Sequence, residues 1–185
     1  MRIYDTRIQV AVAVGRIVIG IIFLWAGLEK FIGSSGWSAA GFLGHGTAGT
    51  LGWPFVGADA QGPFNPTMNF WVDISKNAGM MTAVNFLVVF GELGIGVSLI
   101  LGLLTRFGAA MGTLMMLLFF VAAWDWAFGI VNQHLTYAVV TLGLAIVGAG
   151  NYFGLDAVVG PMVSPGLRRW FFSGDVEPAT SNAFA

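Results

Sequence analysis

Residues Met80 to Leu104 read MMTAVNFLVVFGELGIGVSLILGLL, an unbroken apolar run in which Glu92 is the one charged residue. Crossing a hydrocarbon core of about 30 Å takes roughly 20 helical residues, so this run is long enough to span a bilayer. Three further runs share its character: about Ile8 to Phe31, Phe107 to Phe128 and Leu135 to Phe153. All four are rich in Gly, Ala, Leu, Val and Phe, and none contains proline. Barrel strands would instead alternate apolar and polar residues in short segments. The expected fold class is all-α, an integral membrane four-helix bundle with helices at about 8–31, 80–104, 107–128 and 135–153. These lie in a transmembrane domain of residues 1–166, followed by a short interfacial segment and mobile tail over 167–185.

Composition agrees with that reading. The chain is 57% hydrophobic and 9% charged, with a mean hydropathy of +0.81. Its 185 residues make one domain, too small to enclose so large an apolar excess. The surplus must face lipid. A net charge of -1, with no run of Lys or Arg, offers no field for nucleic acid. With no cysteine in the chain, disulfides, thiolate metal sites and a cysteine-based sulfur relay are excluded within it. The first run is read as a retained helix, because it carries Arg16, exceeds a signal-peptide h-region and lacks a clear cleavage site.

Basic residues set the expected orientation. Arg2, Arg7, Arg106, Arg168 and Arg169 gather on one side, against Lys30 and Lys76 on the other. The positive-inside rule then places both termini in the cytoplasm of a plasma-membrane protein, and the long loop 33–79 outside. That loop holds Trp37, Phe42, Trp53, Phe55, Phe64, Phe70 and Trp71, too many aromatics for a flexible linker. It is expected to cap the outer surface, with short helices near Trp37–Leu43 and Asn69–Lys76. Glycines in the second, third and fourth runs suit close helix packing, within one bundle or at a partner interface. Met111, Met115 and Met116 read as gap-filling residues rather than a copper site.

Charges at membrane depth are costly and call for partners. Counted from the run ends, Arg16 and Glu92 differ in depth by only roughly 6 Å, which predicts an Arg16–Glu92 ion pair between helices 1 and 2. Such a pair is either a clasp fixing register or a polar anchor for a quinone or a proton. A second cluster is expected at the outer rim: Glu29, Lys30, Trp124, Asp125, Trp126 and His134, joined by His45, Asp73 and Lys76 from the loop. It could hold a small anion, relay protons, bind a partner domain, or be an ordinary polar rim with an aromatic belt. Both histidines fall outside or at the ends of the spans, which argues against bis-histidine haem. No phosphate loop, nucleophile elbow or HExxH motif is present, and no flavin or metal motif is seen.

The stretch Gly15-Arg16-Ile17-Val18-Ile19-Gly20, continuing as Phe23-Leu24-Trp25-Ala26-Gly27-Leu28-Glu29-Lys30-Phe31, resembles the opening helix of the DoxX/DoxD membrane family. So do Gly91-Glu92-Leu93-Gly94-Ile95-Gly96, Leu101-Gly102-Leu103-Leu104-Thr105-Arg106, and Gly148-Ala149-Gly150 followed by Leu155-Asp156. The resemblance implies a four-helix subunit linked to respiratory electron transfer, with Arg16, Lys30, Glu92 and Arg106 as the positions carried over. Its best-described members form the larger subunit of a thiosulfate:quinone oxidoreductase; other relatives look like partners in oxidative-stress or thiol homeostasis complexes. The leading expectation is a DoxX/DoxD-like oxidoreductase subunit passing electrons from thiosulfate to quinone. In it Glu92 and Arg16 are the catalytic candidates, and Lys30, Lys76, His134, Glu29 and Asp125 the substrate-binding ones. Its expected partners are the lipid bilayer and a second subunit or further copies of the chain. The alternatives are a non-catalytic assembly subunit and a small transporter; the lack of inverted repeats and proline-broken helices weighs against the last.

Overall fold

The computed structural model describes residues 5–33, 36–45, 67–123 and 132–173. Among these the protein is entirely helical. The helices are α1 (Thr6–Ile32), α2 (Ala40–His45), α3 (Met68–Lys76), α4 (Ala78–Leu101), α5 (Thr105–Ala122), α6 (Gln133–Val147), α7 (Asp156–Val159) and α8 (Pro165–Phe171). Three of them, α1, α4 and α5, are long and apolar enough to cross a membrane. Their outer faces carry large apolar side chains such as Trp25 at 66% and Leu87 at 64% exposure. A water-soluble surface would not tolerate so continuous an apolar belt.

Polar side chains start α1, α4 and α6, and glycines end them. Asp5 accepts from Arg7 N (2.8 Å) at the start of α1, Asn77 from Met80 N (3.0 Å) at α4, and Asn132 from Leu135 N (3.0 Å) at α6. Gly102 closes α4 in the left-handed region, at φ 65°. Ser98 Oγ then donates to Leu103 O (2.7 Å) and Leu104 O (3.3 Å), tightening the turn into α5. This is why the second helix stops at Leu101, short of the expected 104, and the third begins at Thr105 rather than 107. Gly148, at φ 64°, likewise ends α6 at Val147 where the apolar run suggested 153. The chain continues as a 3₁₀ turn, Ala149–Asn151. The expected end of the third helix, 123–128, lies mostly outside the described residues.

Small residues set the register between α1 and α4, which run antiparallel. A Cβ on Gly96 would fall 2.5 Å from Leu24 N, one on Gly27 would meet Leu93, and one on Gly20 would meet Ile100. Backbones this close leave no slack for sliding. On the other side α5 packs on α6, with the Thr113 and Thr141 hydroxyls 2.9 Å apart. Ile19, Phe23, Ile95, Leu99, Ala109, Met116 and Leu144 fill the middle of the bundle. At one end of the bundle, the cap end, α2 packs on α3 and α3 on α4. There Ala39, Leu43, Ile74, Met81 and Ala122 form a second cluster, and Ala39 N donates to Asn85 Oδ1 (2.8 Å). At the opposite, turn end, α8 lies along α5: Arg106 Nη1 donates to Arg169 O (2.8 Å), and Phe107 meets Phe171 at 5.3 Å between ring centres.

Candidate functional site

The α1–α4 register decides which charges meet. Glu92 lies beside the Gly27–Leu93 contact, and Lys30 sits just beyond it toward the cap end. Helical side chains lean toward the N-terminus of their own helix, so the Lys30 stem folds back to the level of Glu92. Its Nζ donates to Glu92 Oε1 (2.8 Å) and Oε2 (2.7 Å) and to Ala26 O (3.2 Å). The same ammonium stands 5.4 Å from the centre of the Trp37 ring, brought in by the cap. Glu92 is 3% exposed, whereas the Lys30 side chain remains 20% exposed.

The predicted Arg16–Glu92 pair is therefore corrected: the partner of Glu92 is Lys30. Counting depth from the ends of the apolar runs assumed that helices 1 and 2 end level with each other. In the fold, Gly20 already faces Ile100, so Arg16 falls beyond the end of α4, against Gly102. Ten residues of α4 separate that level from Glu92, about 15 Å of helix. Arg16 is fully buried there and donates from Nη2 to Phe153 O (3.3 Å). The carboxylate that attracts it is Asp156. In the sequence Asp156 enters only through the family resemblance; the signal for its role is a lone acid just after the fourth apolar run.

From the Ser98–Leu104 turn to the cap, a groove of about 1560 Å³ runs along the face shared by α4 and α5. Gly94, with nothing within 4 Å of where a Cβ would stand, lies on its floor, and Phe86, Phe90 and Leu114 are among its apolar walls. Its cap end holds Lys30 and His134. The His134 ring packs edge-on against Phe119 and Phe42, at 5.8 and 6.3 Å between centres. The groove is thus an apolar slot on the outside of the helices, with one polar end.

Of the other expected rim residues, Glu29, Asp73 and Lys76 do not line it. Glu29 is exposed at the end of α1, and Asp73 and Lys76 are exposed on α3, away from the groove lining. His45 closes α2. Arg106 anchors α8 instead of facing the slot. Asp125, with Trp124 and Trp126, lies outside the described residues. Among the described residues there is no group of three or more His, Asp or Glu able to hold a metal ion.

Apolar helices wrapped around buried charges define a helical membrane protein. The DoxX family model matches residues 11–125, the stretch that runs from α1 through α5 and holds Arg16, Lys30 and Glu92. The chain belongs to the DoxX family. No curated protein and no solved structure matches it.

Proposed function

We propose that this DoxX protein is a four-span, plasma-membrane subunit of a respiratory oxidoreductase, and that its groove takes a membrane quinone as substrate. In this reading α6 is the fourth span. Both termini are cytoplasmic, because Arg7, Arg106, Arg168 and Arg169 outnumber the basic residues of the opposite side. The observation that carries the proposal is the Lys30–Glu92 pair at the end of a slot walled by apolar side chains. A lipid-soluble quinone needs both parts: an apolar track entered from the bilayer and a donor for its carbonyl oxygen.

The three Lys30 donors rest on Glu92 and Ala26 O; one of them turns to the quinone carbonyl when quinone binds, and Glu92 keeps the ammonium in place. Reduction consumes two electrons and two protons per quinone. Two thiosulfate ions joining as tetrathionate release two electrons, which makes thiosulfate a balanced donor. Glu92 and Lys30 handle protons at the cap end, where His134 also lines the groove. Lys76 and Glu29 belong to the outer rim that receives the donor or a second subunit. With no cysteine in the chain, sulfur chemistry is noncovalent here or belongs to that partner.

The test is quinone reduction by the purified protein in nanodiscs, with thiosulfate as donor, alone and with co-purifying partners. Glu92→Gln should bind a short-chain quinone at least tenfold more weakly and lose turnover while unfolding cooperatively. Unchanged binding and turnover in that variant would refute the site. Absence of turnover in every preparation, with quinone binding intact, would favour a non-catalytic assembly subunit.

A further inference from the structure

We infer that a neutral, water-sized molecule that both donates and accepts hydrogen bonds occupies a sealed site among Arg16, Thr105 and Asp156. This guest joins the first helix to the segment that follows α6. Arg16 and Thr105 are fully buried and Asp156 is 2% exposed. Arg16 Nε and Nη1, Thr105 Oγ1 and Asp156 Oδ1 are all buried and have no hydrogen-bond partner. Buried polar atoms of native proteins are almost always partnered, so four in one neighbourhood point to a guest. Their chemistry selects it. Arg16 offers donors, Asp156 an acceptor and Thr105 either, which suits a molecule with two of each. An anion would meet the Asp156 carboxylate, and a cation would meet the Arg16 guanidinium.

The rest of Asp156 is already committed. Its Oδ2 accepts from Thr105 N (3.1 Å), Ser173 N (3.1 Å) and Ser173 Oγ (2.8 Å), which leaves Oδ1 to face the site. Glycines form the wall. The Gly102 carbonyl accepts from Asp156 N (2.7 Å), while a Cβ on that glycine would overlap Arg16 Nη1, at 1.6 Å. A Cβ on Gly150 would come within 2.2 Å of both Asp156 Oδ2 and Thr105 Oγ1, and one on Gly154 within 2.9 Å of Arg16 Nη1. The guanidinium thus lies against Gly102 and Gly154, and the Asp156 carboxylate with the Thr105 hydroxyl against Gly150, with no direct hydrogen bond between the unpartnered atoms. The site is separate from the α4–α5 groove, whose lining includes none of these three residues.

The decisive experiment is a structure of the full chain in lipid nanodiscs, at a resolution that resolves ordered water. The expected result is a density peak within hydrogen-bond reach of Arg16 Nη1 or Nε and of Asp156 Oδ1 or Thr105 Oγ1. Direct Arg16–Asp156 contact with no room for a peak would overturn the inference. A thermal double-mutant cycle on Arg16→Met and Asp156→Asn supplies an independent reading. If the guest couples the two, the double variant melts no lower than the worse single variant. Additive losses would overturn the coupling.

Discussion

Replacing Lys30 by Met should destabilise the protein more than replacing Glu92 by Leu, and combining the two should recover most of the loss. The asymmetry follows from burial. Glu92 is 3% exposed, and without Lys30 its carboxylate would have no cation among the groups that now contact it. Removing one partner of a buried pair costs about 3–5 kcal/mol, because the remaining charge stays desolvated. Lys30 is different: its side chain keeps 20% of its exposure and lies near a helix end, so without Glu92 its ammonium can turn outward to the polar interface. Glu92→Leu should therefore cost roughly half as much, on the order of 2 kcal/mol. The double variant puts apolar side chains of similar size in the same place and should lie within about 1 kcal/mol of the parent. For a chain of this length, with about 2–4 °C per kcal/mol, Lys30→Met should melt roughly 10 °C lower. Tryptophan fluorescence on heating, in one detergent and at one protein concentration, measures all four proteins. Losses that add in the double variant, or a larger loss for Glu92→Leu than for Lys30→Met, would refute the reasoning.

Three other outcomes are expected. Gly96→Ala should cost about 1–3 kcal/mol, because its Cβ would press on Leu24 backbone at 2.5 Å, whereas Gly94→Ala, with nothing within 4 Å, should gain up to about 1 kcal/mol in helix propensity; the two melting temperatures, read side by side, check the pair. Gly94→Leu should fill the groove floor without a clash and weaken binding of a short-chain quinone at least tenfold at unchanged melting temperature, as read by titration in nanodiscs. Asn77→Ala removes the hydrogen bond that the side chain accepts from Met80 N and should destabilise the protein by about 1 kcal/mol, a shift that the same fluorescence melt resolves.

The long helices were legible because lipid imposes a crude requirement on sequence: length and apolarity, both visible residue by residue. Their ends were less so. Leu103, Leu104, Tyr152 and Phe153 are as apolar as the helices beside them, and it is the left-handed backbone at Gly102, Leu104, Gly148 and Phe153 that excludes them. The pairing of charges was harder still. Lys30 and Glu92 were each singled out, yet their meeting depends on how α1 slides against α4. Gly20, Gly27 and Gly96 control that sliding through backbone approach, which hydropathy does not register. On the groove floor Gly94 is indistinguishable in sequence from the packing glycines, since a missing side chain looks the same whether it admits a neighbouring helix or leaves a slot.

The carbonyl that accepts from Arg16 belongs to Phe153, 137 residues further along the chain. Synthesis at about 5–20 residues per second therefore delivers it roughly 7–27 seconds after the arginine is made. Throughout that interval the first helix carries a guanidinium that lipid alone would not accept. Lys30 waits less, since Glu92 follows it by 62 residues. Biogenesis of this bundle is consequently staged from one end to the other: α1 is secured first at the cap, through Lys30, and its opposite end is completed only when the last described segment arrives.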